Sequence, residues 1–320
     1  MDQDSLKFGK STKLRYGENP HQEGWFYEID AESTDPLAIQ NFTVIQGKEL
    51  SYNNYLDMDG ALFALSHLGG GEAGCVIVKH TNPCGAALRE NIHDAYKAAW
   101  YDGDPLAAFG GIMVVNREVD APLAESMIQN FFEVLMAPSV TEEAKAVFAK
   151  KPNLRVLVNP ALIEPKPSNA SQMHKVRGGI LMTSADTVKV GKENLRTVTK
   201  RAPTDADIED LLFAWALCRS SKSNTVVAAK NKTLIASGVG QQDRKRCAEL
   251  CVSKAGERMK DAAVASDAFF PFRDATDVLT AAGVSAIIQP GGSVRDQESV
   301  DACDEKNVAM VYTGIRAFRH

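Results

Sequence analysis

Cys75-Val76-Ile77-Val78-Lys79, followed at once by His80-Thr81-Asn82-Pro83-Cys84-Gly85, sets the architecture. Four apolar residues closed by a lysine read as a strand buried on both faces. The Asn82-Pro83 step and Gly85 then break it, and residues 86–100 resume with helical spacing. Strand, Pro/Gly loop and helix together make one β-α unit.

The same style continues downstream. Strands are predicted over 111–115, 134–137 and 154–158, and helices over 122–131 and 142–151. From 159 to about 202 the periodicity weakens and Pro160, Pro165, Pro167, Gly178 and Gly179 accumulate, as at a crossing between domains. The boundary is placed near residue 190, giving α/β subdomains over 1–190 and 191–320. Thr204 with Asp207 predicts a capping box opening a helix through Arg219, with Ile208, Leu211, Leu212, Trp215 and Cys218 on its apolar stripe. Strands over 225–229, 233–236, 262–265, 285–288 and 308–312 alternate with helices over 243–259, 276–282 and 297–306. Both halves suggest one duplicated α/β unit, although no residue-level repeat is visible.

Composition limits the function. The chain has 320 residues, 44% hydrophobic and 24% charged, which is ordinary for a soluble globular protein and unlike disorder, collagen or coiled coil. Its 36 basic residues against 41 acidic give a net charge of −5, so no broad basic field exists for nucleic acid. Six cysteines without a C-x-x-C pair suit neither a disulfide framework nor a zinc ribbon, and point to a reducing compartment. Met1-Asp2-Gln3-Asp4-Ser5-Leu6 lacks the basic-then-apolar pattern of a signal peptide, and no run reaches the ~20 apolar residues of a membrane helix. A cytoplasmic protein is expected, with neither membrane nor nucleic acid as partner.

Candidate chemistry gathers where strands end. Lys79-His80 is the leading pair: the neighbouring ammonium disfavours imidazolium and keeps the histidine a neutral base. Taken alone, the dipeptide also reads as a surface pair capping a strand. Strand alternation points adjacent side chains to opposite faces, so both serve one substrate only if the strand ends between them. Phe109-Gly110-Gly111 and Gln289-Pro290-Gly291-Gly292-Ser293 let a backbone approach a ligand but match no phosphate-loop pattern. Ser266-Asp267-Ala268-Phe269-Phe270-Pro271-Phe272-Arg273-Asp274 follows a buried strand. It reads either as a core cluster or as an aromatic slot for a flat heterocycle.

Taken together, these strings resemble the AICAR transformylase domain, the formyl-transferring part of a bifunctional enzyme that finishes purine-ring synthesis. Leu14 to Gln22, Leu50-Ser51-Tyr52-Asn53-Asn54, Val76 to Gly85, Phe109-Gly110-Gly111, Ser221-Lys222-Ser223-Asn224, Gly238 to Arg244, Ser266 to Asp274 and Phe318-Arg319-His320 carry the likeness in one order. The family usually has an amino-terminal IMP cyclohydrolase domain, which is expected to be missing here. The resemblance implies two tandem cytidine-deaminase-like α/β subdomains with mixed sheets flanked by helices. It also implies formyl transfer from 10-formyltetrahydrofolate, as co-substrate, to the exocyclic amine of AICAR in IMP biosynthesis, with no metal required. By the same likeness His80 is the base, Lys79 stabilises the transition state and Asn224 orients the histidine and the formyl group. Arg15, Tyr16, Gly110 or Gly111, Glu133, Asn224, Arg244 and Arg316 would hold the nucleotide, and Phe269, Asp274, Ser293 and Val294 the folate. A homodimer with sites at the subunit interface is implied as well.

Two other readings compete. A zinc nucleoside deaminase needs H-x-E (or C-x-E) and P-C-x-x-C, whereas here His80-Thr81-Asn82 lacks the glutamate and Pro83-Cys84 is followed by Gly85-Ala86-Ala87. A noncatalytic nucleotide-binding module has no need of Lys79, His80 and Asn224 together.

Overall fold

A computed structural model describes residues 7–29 and 34–320, so the Met1 to Leu6 leader lies outside the described residues. Strands β1 (Phe8–Lys13) and β2 (Trp25–Ile29) form a separate antiparallel hairpin. Then follow β3 (Thr43–Gln46), α1 (Tyr52–Leu68), β4 (Ala73–Lys79), β5 (Asn82–Arg89), α2 (Ile92–Lys97), α3 (Pro105–Ala108), β6 (Ile112–Val115), α4 (Ala121–Met127), β7 (Val134–Ala137), α5 (Glu142–Phe148) and β8 (Arg155–Val158). An exposed hairpin, β9 (Gln172–Val176) with β10 (Gly179–Thr183), comes next. It precedes β11 (Arg196–Thr197), α6 (Asp205–Arg219), β12 (Val226–Lys230), β13 (Thr233–Gly238), α7 (Arg244–Ala255), β14 (Ala263–Ser266), α8 (Asp274–Ala281), β15 (Ala286–Gln289), α9 (Asp296–Glu305) and β16 (Ala309–Tyr312).

Among the described residues, twelve strands form one mixed sheet in the order β11-β16-β15-β14-β12-β13-β5-β4-β6-β7-β8-β3. From the central β13–β5 seam outward, β5-β4-β6-β7-β8-β3 repeats as β13-β12-β14-β15-β16-β11. Each series has an antiparallel hairpin, an antiparallel third strand, two parallel additions and an antiparallel edge. The leading helices repeat too. Ser51 and Asn54 cap α1 with the same reciprocal pair of bonds that Thr204 and Asp207 make on α6.

Strand alternation divides the core. Val76 and Val78 face a cluster built with α1 and α6, which covers one side of both halves, while Cys75 and Ile77 face α2, α4 and α5 on the other. A third cluster lies under α7, α8 and α9. Among the described residues no helix is long and apolar enough to cross a membrane.

One expectation fails locally. Residues 82–89 are strand β5, not a loop running into a helix, and the helix starts only after Asn91, whose side chain caps α2. Pro83 is tolerated because the β4–β5 register shifts beside it, and Ala86-Ala87-Leu88 is buried at the seam, where an all-apolar run has no period to read. The stretch read as a crossing contains the β9–β10 hairpin, whose exposed residues supply no alternating pattern.

Candidate functional site

Strand directions bring the site together. β4 is antiparallel to β6, so the end of β4 at Lys79 and the starts of β6, β7 and β8 share one edge of the sheet. Following antiparallel partners through β5, β13 and β12 to β14 puts the start of β12 and the carboxyl ends of β14, β15 and β16 at that same edge. In the first half the edge is therefore the amino end of the parallel strands, opposite to the end where ligands of open α/β sheets usually sit.

Lys79, half-buried, donates from Nζ to the carbonyl of Phe109 at 2.6 Å. That contact ties it to Gly110, which takes a left-handed φ of 76° and donates its N–H to the Phe131 carbonyl at 2.8 Å. The Glu133 N–H in turn donates to the Gly111 carbonyl at 2.9 Å. The Glu133 carboxylate accepts from Asn54 Nδ2 at 3.1 Å and faces Arg155 Nη1 at 3.5 Å. Beside it opens a cavity of about 490 Å³ whose lining includes Arg15, Tyr16, Lys48, Phe131, Glu133 and Lys151. Among the described residues, Lys150 and Arg155 raise its cations to five against the single acid Glu133.

His80 is exposed on the two-residue turn between β4 and β5. Asn82 holds that turn to the second half: its Nδ2 donates to the His80 carbonyl at 2.8 Å, and its Oδ1 accepts the Lys222 N–H at 2.9 Å. Two residues beyond Lys222, Asn224 Oδ1 accepts from Arg244 Nη2 at 2.6 Å and its Nδ2 donates to the Gln242 carbonyl at 3.1 Å. Arg244 is buried and ion-paired with the fully buried Asp267. Its guanidinium is thus committed within the protein and braces Asn224.

The residues that the resemblance assigns to the folate lie further along the edge. Phe269 is partly exposed, Asp274 opens α8, Ser293 accepts the Arg295 N–H at 3.1 Å, and Val294 is fully exposed. Arg316 is exposed with its guanidinium 4.5 Å from the centre of the Phe318 ring, and it does not line the cavity that holds Arg15. Sequence reasoning missed Asn54, Lys48, Lys150, Lys151 and Arg155. Lys150-Lys151 look like solvated lysines at a helix end, and only the turn into β8 brings them to the cavity.

Burial, and next the charge of Asp104, push the Cys84 thiol up to about 12, so without a bound ion it is not a thiolate at neutral pH. Among the described residues no three His, Cys, Asp or Glu side chains form a metal-holding group.

Fold and cavity define a duplicated α/β protein with a cation-lined cavity opening at one edge of its mixed sheet. The sequence pattern of the AICARFT/IMPCHase bienzyme family matches residues 2–254. The chain is also 44% identical over 318 residues to the bifunctional purine biosynthesis protein PurH of Ruminiclostridium cellulolyticum, an alignment that covers 99% of this chain and 60% of that protein. The chain belongs to the AICARFT/IMPCHase bienzyme family. It spans about 60% of the length of that curated relative.

Proposed function

We propose that this chain transfers the formyl group of 10-formyltetrahydrofolate to the exocyclic amine of AICAR, giving formyl-AICAR and tetrahydrofolate in cytoplasmic purine biosynthesis. The observation that carries this reading is the meeting, at one sheet edge, of the Lys79-His80 turn, the cation-lined cavity and the Asn224 segment, joined by Asn82. The AICAR amine is a weak nucleophile because its lone pair is delocalised into the ring. Its attack on the formyl carbon requires close positioning and loss of a proton as the C–N bond forms. His80 takes that proton. Lys79, with one ammonium hydrogen fixed on the Phe109 carbonyl and two left over, stabilises the oxyanion until the bond to the folate nitrogen breaks, that nitrogen takes up the proton held by His80, and tetrahydrofolate leaves. Asn224 keeps a second amide hydrogen and a second lone pair for orienting the histidine and the formyl group.

Arg15 with Lys48, Lys150 and Lys151 suits the monophosphate, Tyr16 and Gly110 or Gly111 the ring, and Glu133 a hydroxyl or amide donor. Arg244 acts through Asn224. Phe269 stacks on the pterin, Asp274 accepts from its aminopyrimidine edge, and the Ser293-Val294 backbone borders it; Arg316 completes nucleotide binding. The chain acts as two α/β units divided near residue 190, and as a homodimer with composite sites. Exposed Ile180, Leu181 and Met182 on β10 supply apolar surface for such pairing. The test is a folate-release assay with AICAR and 10-formyltetrahydrofolate beside formate plus ATP. Tetrahydrofolate release that depends on AICAR is expected. No release, or equal product formation from formate plus ATP, overturns the assignment.

A further inference from the structure

The two halves contain one device twice. In α1, Asp57 Oδ1 accepts the Thr81 N–H at 2.6 Å and Oδ2 the His80 N–H at 3.3 Å. In α6, Asp210 Oδ1 accepts the Lys232 N–H at 2.6 Å and Oδ2 the Asn231 N–H at 2.8 Å. Each carboxylate grips a hairpin turn of two successive left-handed residues: His80 (φ 52°) and Thr81 (φ 64°), Asn231 (φ 51°) and Lys232 (φ 47°). Such conformations are unfavourable for residues with a Cβ, and most of all for β-branched threonine. Two adjacent N–H groups in this geometry form a small concave anion site, and charge-assisted bonds to it offset the cost. Gly60 brings α1 close enough, since a Cβ there would stand 3.2 Å from the Thr81 carbonyl oxygen.

Only the first copy bears a histidine. In extended backbone His80 would point to the face opposite Lys79, and the left-handed turn removes that alternation. We infer that Asp57 is a positioning residue for the formyl transfer: by holding the His80-Thr81 turn left-handed it aims the imidazole at the substrate that Lys79 also serves. This rests on the reading of His80 as the base, and Asp210 provides a matched control with the same local structure and no histidine.

The experiment compares Asp57→Asn with Asp210→Asn in the full chain. Asp57→Asn is expected to lower kcat at least ~10-fold with the KM for AICAR within ~3-fold, as a small misplacement of a reacting group does. The Thr81 amide should exchange with solvent ~10-fold faster or more, as a lost hydrogen bond allows. Asp210→Asn should lose comparable thermal stability and keep kcat within ~2-fold, as distant structural changes do. Adding Thr81→Gly to Asp57→Asn should recover at least ~3-fold of the lost kcat, because glycine takes the left-handed turn unaided. Should Asp57→Asn fail to fold, Asp57→Glu, which keeps the charge and displaces the turn, carries the same kcat test. Unchanged kcat despite an exchanging Thr81 amide, or an equal kcat loss in both asparagine variants, overturns the inference. His80→Ala run alongside separates the two readings: full turnover there removes the base itself, whatever Asp57 does.

Discussion

A lysine and a histidine side by side are useful to one substrate only at a strand's end, and Lys79 closes β4 just where His80 starts a left-handed turn. Truncating either should spare the fold and strike the chemistry. His80→Ala and Lys79→Ala are each expected to cut turnover at least ~100-fold while AICAR binding changes little; near-normal turnover in either purified variant removes that residue from the mechanism. The strand end at Lys79 was legible in sequence because an apolar run closed before Asn-Pro is a local pattern, whereas the dipeptide alone also reads as a surface pair. Lys48, Lys150, Lys151 and Arg155 were not legible, because their convergence depends on β8 returning beside β7. His67, near the end of α1, gives a test of pH. Its Nδ1–H donates to the Phe63 carbonyl at 2.8 Å, its Nε2 is buried without a partner among the described residues, and burial lowers its pKa to about 4. The unfolded chain therefore binds a proton between pH 6.5 and about 4 that the folded chain refuses. The resulting stability is present above pH 6.5 and fades as pH falls toward 4, by at most ~3 kcal/mol. His67→Leu should flatten that part of the denaturation-versus-pH curve, and an unchanged slope would show that His67 does not cause it.

The elements divide by how local their signals are. α6 was readable to its cap because Thr204 and Asp207 exchange hydrogen bonds within one turn, and the parallel strands β14, β15 and β16 because each is a short apolar run between charged helices. β5 was not, since what makes Ala86-Ala87-Leu88 a strand is pairing with β4 on one side and β13 on the other. Gly85 shows the constraint most sharply. A Cβ there would lie 2.3 Å from the carbonyl oxygen of Ala99, in the π-type turn Ala98–Asp102 that continues α2, and backbone cannot retreat as a flexible side chain can. Gly85→Ala should therefore destabilise the protein by ~2 kcal/mol or more, within the range for overpacked cores, and chemical denaturation measures it. A loss under ~0.5 kcal/mol, the level of a bland surface change, would mean that the turn moves freely away from β5.

At the scale of the molecule, duplication places the two hairpin turns at opposite edges of one sheet. Where the first-half turn meets the loop before β12, Asn82 bonds Lys222 and the edge stays open to the cavity. At the equivalent junction Lys230-Asn231 replaces Lys79-His80, and Lys232 is tied to Glu72 at 2.8 Å and Glu209 at 3.5 Å, so that junction is closed by charge pairs. One unit thus supplies a histidine-bearing turn and the other a counterpart without histidine. The open edge presents a problem of length. Glu133 precedes β7 and Ser293 follows β15, and six strands lie between these two in the sheet. At about 4.8 Å per strand that is on the order of 30 Å along a flat ladder, too far for a formyl group to pass between ligands held at the two places. A second subunit laying its β14–β16 edge against the β4–β7 edge of the first would remove the gap, and would bring Arg316 toward Arg15, as the proposed nucleotide site requires. The expected state is therefore a homodimer, with Lys79 and Arg15 from one protomer acting beside Phe269 and Arg316 of its partner. Light scattering reports the mass. Complementation reports the composition: Lys79→Ala and Arg316→Ala preparations, each nearly inactive, should regain up to about a quarter of normal turnover once subunits exchange, because mixed dimers hold one intact composite site. A monomer fully active at assay concentration, or exchanged mixtures that stay inactive, would mean that each chain completes its site alone.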